Sequence, residues 1–410
     1  MQLPLLKQLV ILFLKNMNLN SLIDKIGKSP LFIIDNWSSE KFGYACFDFE
    51  ETILFNENGI FINNEKYKNK DIQEIQKTID LWKKDSKNIA ALGFASYHFK
   101  DILYPNIKFS KSSKFPYLFF AKPKNIYKYE IKKQKIKQSN VEFNIMKDII
   151  DVNKYVEKID EIKKELENGN AYQINYTINK KYKLNCNPLD LFLKIREKAE
   201  PQFVYYLNFN EYDILSFSPE QFFKTKSKFI YSYPMKGTIK RSLDIKKDQY
   251  YKSILEKSSK DKAEHLMIVD LIRNDIGKIS KFGTVETKNL FKVESYKTVH
   301  QMVTEISGEL IDGIKEFDIL KALFPGGSIT GAPKESAMKI IDKIENYNRN
   351  IYTGTIGYIK KNGDMNFNIP IRTMCVKNNI GNYPVGGGII WDSIAENEWN
   401  EAQLKSEILK

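Results

Sequence analysis

The sequence predicts an α+β fold in one large domain. Three observations carry this expectation. Short aromatic-rich runs bounded by Gly, Pro, Asn and Asp recur from residue 30 onward, as antiparallel strands require. A few segments instead place apolar residues at helical spacing. No repeat, Gly/Ser linker or low-complexity tract is long enough to divide the chain. With 410 residues, 42% hydrophobic and 13% aromatic, the chain can bury a sizeable core.

Taken in order, "PLFIID", "FGYACFDFE", "GIFINN", "IAALGFASYHF" and "FPYLFFAKP" read as strands within residues 30–130. Val152, Tyr155, Val156, Ile159, Ile162 and Leu166 then mark one face of a helix that Gly169 stops. Strands return over residues 171–240, as "AYQINYTINKKYKL", "QFVYYLNF", "DILSFS", "QFFKTK" and "FIYSYPMKG". The stretch "DKAEHLMIVDLIRNDIG" predicts a helix ending at Gly277. Another opens near Pro333, with Ala337, Ile340, Ile341 and Ile344 on its apolar face. "YTGTIGYIKK" and "MNFNIPIRTMCVK" are strands, and the pair Ser393 and Glu396 reads as a capping box for the last helix.

Net charge is +13, from 64 Lys+Arg against 51 Asp+Glu. Such a balance raises nucleic acid as a partner. The lysines, however, are spread along the chain among acidic residues. The densest basic run, residues 128–139, reads as a surface connection, so no nucleic-acid partner is expected. Cys46, Cys186 and Cys375 form no CxxC and are odd in number, which fits a reducing cytoplasm without disulfides. His98, His265 and His300 are too scattered for a histidine metal cluster. The N-terminal apolar run is broken by Lys7, is too short to span a bilayer and lacks a small-residue cleavage site. An extra helix is expected there, or a start upstream of the real one, with Met17 as the alternative. No membrane segment is expected elsewhere.

Several stretches carry chemistry. In "YSYPMKGTIKRS", Tyr231, Tyr233 and Met235 alternate as one buried strand face, yet Lys236 follows, just before Gly237. A lysine there is ordinarily solvent-facing. Glu398, Glu401 and Lys405 share one face of the last helix. Alone they read as a solvated face, but "VGGGIIWDS" stands just upstream, and its glycines expose backbone N–H groups. Together these suggest an anionic ligand bridged by a hard cation such as Mg²⁺, which takes one or two carboxylates and keeps its waters. "LFPGGSITGAPKESA" feeds a helix N-terminus and suits an anion, although it is not a P-loop. Glu264 sits in a first helical turn, where the dipole favours it. Glu220, in "SFSPEQFF", reads as a turn residue.

In combination, "AYQINYT", "SFSPEQF", "PMKGT", "DKAEHLMIVDLIRNDIG", "VHQMVTEISGEL", "FPGGSITGAPK", "YTGTIGY", "IPIRT", "GGGIIWDS" and "EWNEAQLK" resemble the chorismate-utilising enzymes, in that family's order. The group includes the first components of anthranilate and aminodeoxychorismate synthases, isochorismate synthase and salicylate synthase. The resemblance runs from about Asp151 to the C-terminus. It implies one α+β domain of two facing antiparallel sheets flanked by helices. It divides the chain into an extra segment (1–25), a strand-rich N-terminal part of the fold (26–140) and a chorismate-binding catalytic part (141–410).

The resemblance also implies roles. Glu264 and Glu401 match Mg²⁺ ligands. Arg372 matches the arginine that pairs with a substrate carboxylate. Tyr352, Ser328, Thr330, Lys405 and the amides of Gly386, Gly387 and Gly388 match other substrate contacts, and His300 matches a histidine beside the ring. Lys236 stands where anthranilate and isochorismate synthases resemble alanine. A lysine there resembles aminodeoxychorismate synthase, whose lysine attacks C2 of chorismate, with Glu220 as the general acid. Isochorismate and salicylate synthases have a lysine base where this chain has Gln173, which argues against water as nucleophile. None of the cysteines lies in a Gly-x-Cys-x-Gly elbow, so ammonia comes from a separate glutamine amidotransferase chain or as free ammonium, and the expectation is a heteromeric cytoplasmic enzyme with such a partner. Anthranilate synthase is the alternative. Its Leu-Leu-Glu-Ser-type tryptophan site is replaced here by "SPLFIIDNWSS".

Overall fold

The structure is a computed structural model, and it describes residues 17–37, 41–67, 71–132, 142–146, 150–296 and 299–409. Residues 1–16, the 140/141 boundary and most of the basic run at 128–139 lie outside the described residues.

The strands form two sheets, antiparallel throughout. The first has ten strands. Its path runs Gly331–Ala332, Gln173–Leu184, Ile380–Ile389, Thr373–Lys377, Tyr212–Ser218, Phe203–Phe209, Phe32–Asp35, Phe42–Cys46 and Tyr127–Glu130; Phe143–Ile145 pairs with Gln173–Leu184 off this path. The second has twelve strands. It runs Met235–Lys240, Val299–Glu309, Phe229–Ser232, Gln221–Lys226, Met365–Asn368, Thr355–Lys360, Ile89–Ala95, Leu118–Pro123, Phe49–Asn56, Gly59–Ile62 and Glu65–Lys66; Glu286–Ser295 pairs with Val299–Glu309. N-terminal and C-terminal strands are interleaved in both sheets, so the two parts of the chain complete one fold.

Aromatic side chains from both sheets meet between them. Phe32, Ile34, Tyr205, Phe209 and Ile214 of the first pack with Leu92, Phe94, Phe119 and Ile356 of the second. The Phe94 and Phe209 rings lie 5.1 Å apart and tilted, and Phe119 stacks on Phe209 at 4.9 Å. Such pairs add about 0.5–1.5 kcal/mol beyond their area. Helices cover the outer faces. Val152–Glu167, Pro188–Ala199 and Lys334–Ile344 share one core with the first sheet, and Ile72–Asp85 and Glu316–Leu323 share another with the second.

The helix Val152–Glu167 forms as its spacing predicts, capped by Asp151 Oδ1 on Lys154 N. Ser259–Gly277 and Lys334–Ile344 also form, with Pro333 one residue before the latter. The last helix, Ala395–Leu404, lacks the capping box. Ser393 lies ahead of the cap and donates instead to Glu398 Oε1 at 2.8 Å. Leu19–Ile26 is a helix whose Leu19 and Leu22 are buried in the first core, so a boundary at residue 25 would cut through it. Helices also fall on residues that periodicity left unassigned, among them Ile72–Asp85, Pro188–Ala199, Ile245–Lys257 and Glu316–Leu323.

Along Gln173–Leu184 the faces differ in kind. Ile174, Tyr176 and Ile178 enter the helix-side core, while Gln173, Asn175 and Thr177 are buried polar residues on the other face. A buried ion pair anchors this strand. Arg349 donates to both oxygens of Glu345, at 2.7 and 2.8 Å, and to the carbonyls of Asn175 and Ile329. Glu345 Oε1 also accepts from Thr177 N and Thr177 Oγ1. Glu345→Ala strands a buried guanidinium, so urea unfolding is expected to show a loss of about 3–5 kcal/mol. A loss below about 1 kcal/mol would show that water replaces the carboxylate.

Candidate active site

Lys236 owes its position to the glycine after it. Met235 and Lys236 pair with Val303 and Met302, then the register slips before Thr238. Gly237 sits in that bulge with φ +67°, which glycine adopts freely. A side chain there would crowd Leu255 and Asp261 at 2.8–3.1 Å. The bulge lets the lysine end of an apolar strand turn inward. Burial pushes its ammonium pKa down, against the pull of Glu264 and Glu220. Among the described residues no carboxylate comes within ion-pair distance of its Nζ.

Glu220 stands at the corner between two strands, one in each sheet. Its backbone N donates to Ser218 Oγ and its carbonyl accepts from Ile369 N, so the corner is fixed from both sides. Ser328 Oγ donates to Glu220 Oε1 at 2.7 Å. Burial raises the carboxyl pKa, and this outweighs Ser328 and Lys236, which favour the anion. Thr330, expected as a substrate contact, is fully buried and donates its hydroxyl proton to Gly326 O at 2.8 Å. It shapes the Ser328 loop instead of offering a donor.

The strand Ile380–Ile389 brings these elements together. A Cβ on Gly388 would lie 2.9 Å from Gln173 Nε2 and 3.2 Å from Lys236 Nζ. One on Gly387 would face Glu401, Lys405 and Glu398 at 3.5–3.7 Å. Gly386 has strand backbone against it, and its carbonyl accepts from Lys405 Nζ at 2.7 Å. Among the described residues, both polar atoms of the fully buried Gln173 side chain lack a protein partner. Gly388→Ala is expected to displace Gln173 and Lys236 and to lower kcat on the order of 10²-fold with unchanged melting. Steady-state kinetics with a thermal melt check this. Full activity would show that the close approach is not used.

Three carboxylates converge beyond this strand. Burial raises the Glu264 and Glu398 pKa values, and a like charge adds to each, Glu398 at Glu264 and Glu401 at Glu398. Glu401 is partly desolvated, yet Lys405 at 2.6 Å holds its carboxyl below the usual range. Among the described residues no set of three or more His, Cys, Asp or Glu forms a closed cage. A Mg²⁺ site that keeps its waters needs only one or two carboxylates, so this oxygen donor set fits.

Arg372 adopts φ +51°, a costly conformation for a non-glycine residue that clusters at functional sites. Its guanidinium is desolvated, lies near Tyr383 and has no carboxylate partner among the described residues. Tyr352 is buried nearby in charge terms, within electrostatic reach of Glu220. His300 does not join the site. Its Nε2 contacts Asp248 Oδ1 at 3.0 Å and its Nδ1 contacts Ser295 Oγ at 2.9 Å, tying Val299–Glu309 to the helix Ile245–Lys257. The histidine that senses Lys236 is His265. Burial and that lysine push its pKa down to about 4, and Thr304 Oγ1 holds its Nε2 at 2.6 Å. Its place next to Glu264 was the available sequence signal.

Residues 32–410 match the family described as chorismate binding enzyme. The chain belongs to that family. Chorismate-binding relatives include aminodeoxychorismate synthase component 1 of Escherichia coli, 39% identical over 257 residues, which are 62% of this chain and 57% of that protein. Anthranilate synthase component 1 of Lactococcus lactis is 36% identical over 253 residues, 62% of this chain and 56% of that protein. The matched region thus spans about half of these relatives. The solved anthranilate synthase component I of Streptococcus pneumoniae shares the fold at TM-score 0.79, with 24% identity over 91% of this chain and 93% of that one. Two facing sheets flanked by helices are therefore the family fold.

Proposed function

We propose that this protein converts chorismate and ammonia to 4-amino-4-deoxychorismate, the aminodeoxychorismate synthase reaction that leads to p-aminobenzoate and folate. The observation that carries this reading is Lys236, turned inward by its bulge, without an ion pair among the described residues and packed 3.2 Å from where a Gly388 Cβ would be. Relatives of both kinds are similarly identical, so overall identity does not choose between them. The lysine favours the aminodeoxychorismate reading.

The residues supply each part of the chemistry. Neutral Lys236 Nζ adds at C2 of chorismate, both conjugated ring double bonds shift along the ring, and the C4–O bond breaks as Glu220 gives its proton to the departing hydroxyl. Water leaves. Ammonia then adds at C4 and expels the lysine amine from C2. Arg372 has the fork to hold one substrate carboxylate, and Lys405 and the Gly387–Gly388 backbone line the other side. Glu264 and Glu401 would hold Mg²⁺, which when bound supplies positive charge for the substrate's carboxylate. Gln173, without a charge, suits an uncharged nucleophile.

Ammonia would come from a separate glutaminase chain. Burial pushes the Cys46 and Cys375 thiols up to about 12, so neither is a reactive thiolate. Three free cysteines also suit the cytoplasm. Among the described residues no helix is long and apolar enough to cross a membrane. The test is product identity after incubation with chorismate, Mg²⁺ and ammonium, then with glutamine and a glutaminase subunit. Aminodeoxychorismate is expected; direct anthranilate with pyruvate release favours the alternative and sinks this reading.

A further inference from the structure

A narrow cleft, partly open to the outside and with room for about one or two water molecules, reaches Glu220 from the direction of Asp275. Glu220 and Ser328 are its links to the catalytic residues. Lys236, Arg372, Tyr352 and the glycine strand do not line it. The Asp275 wall is braced by Lys334, whose Nζ donates to Asp275 Oδ2 at 2.6 Å and to Leu323 O at 3.1 Å. Ser232 and Gln221 also line it, so the wall carries polar groups spaced among apolar ribs. A cavity of this kind holds ordered water, which needs two to four polar partners per molecule.

Glu220 has a supply problem that this cleft solves. As a general acid it ends each turnover as a carboxylate and must regain a proton. Among the described residues its one side-chain donor is Ser328, and a hydroxyl that gives up its proton must take another from somewhere. The water formed from the C4 hydroxyl must also leave a site packed closely around Lys236. We infer that this cleft is a water conduit, which carries a proton from bulk solvent to Glu220 by way of Ser328 and drains the water released there. The inference rests on Glu220 acting as the acid in the reaction proposed above. The balance is simple: the carboxyl proton and the C4 hydroxyl leave as water, and the carboxylate takes one proton from solvent.

Two substitutions narrow the cleft without touching the catalytic residues. Gly326 has φ −59° and ψ 139°, open to any residue, and a Cβ there would meet Ile369, Ile329 and Phe222 at 3.3–3.4 Å. Ile272 is half-buried on the helix wall. Gly326→Ala and Ile272→Phe are each expected to lower kcat for chorismate consumption on the order of 10-fold, a fraction of the general-acid contribution. The KM for chorismate should stay within about twofold and the solvent deuterium isotope effect on kcat should rise, since proton resupply becomes limiting. Melting curves identify any variant that does not fold. Unchanged kcat in a folded variant, or a raised KM at constant kcat, would overturn the conduit. A crystal structure of the parent protein gives the second measurement: a file of waters from Glu220 toward Asp275 supports it, and a dry cleft overturns it. Because the assay follows chorismate loss, a parent protein that makes anthranilate refutes the proposed reaction and leaves the conduit comparison intact.

Discussion

Lys236→Ala is expected to lower the rate of chorismate conversion on the order of 10²-fold or more, with the KM for chorismate little changed. The substitution removes the amine that would add at C2, while Arg372, Tyr352 and the glycine strand, as proposed substrate contacts, would still hold the substrate. Loss of an interaction made only along the reaction path lowers kcat and leaves ground-state binding alone. Lys236→Arg should not restore activity, because a guanidinium stays protonated and cannot act as the nucleophile. The pH profile adds a sign. Burial depresses the Lys236 pKa, so the neutral amine persists to lower pH than in an exposed lysine, and activity falls as pH drops through that depressed value. Withholding ammonia from the parent protein should leave the amine bonded to the ring. Mass spectrometry of the peptide carrying Lys236 would then show chorismate less one water. A Lys236→Ala protein with near-full rate, or a parent without that adduct, would show that ammonia attacks directly.

Much of the architecture was legible because strand patterns and turn residues agree with the fold. The signal failed where tertiary context decided. Asp71 and Asn187 cap helices that strand-rich surroundings obscured. Ser393 has the spacing of a capping box, yet Glu398 takes its hydroxyl because the helix starts later. At the site, the pair Lys236-Gly237 could be read as unusual, but the inward turn depends on a register slip against Val299–Glu309, which no local pattern encodes. Glu264 and Glu401 came from opposite ends of the catalytic part, and both lie within electrostatic reach of Lys236. His300 and Thr330 show the reverse case. Each matched a family position, but its polar atoms are already used, by Asp248 and Ser295 in one case and by Gly326 in the other. Residue type marks a candidate, and the hydrogen bonds decide whether any capacity is left for a substrate.

Glu220→Gln should be the second large loss, about 10²–10⁴-fold in kcat, the range typical of general acids. The change is nearly isosteric. Its amide oxygen can still accept from Ser328 Oγ, and its backbone bonds to Ser218 and Ile369 are untouched, so fold and KM should survive. What disappears is the ionisable proton. In the parent protein, burial raises the Glu220 pKa, so the acid form lasts to higher pH than for an exposed carboxyl. Activity should therefore fall on the alkaline side as pH rises through that raised value. In Glu220→Gln this limb should vanish while the limb assigned to Lys236 remains. The two variants thus remove opposite limbs of one profile, which a merely structural defect in either would not do. A Glu220→Gln protein that keeps the alkaline limb would place the acid on another residue. One that keeps full kcat would mean that the hydroxyl departs without a protein proton, and the conduit leading to this carboxyl would then have nothing to supply.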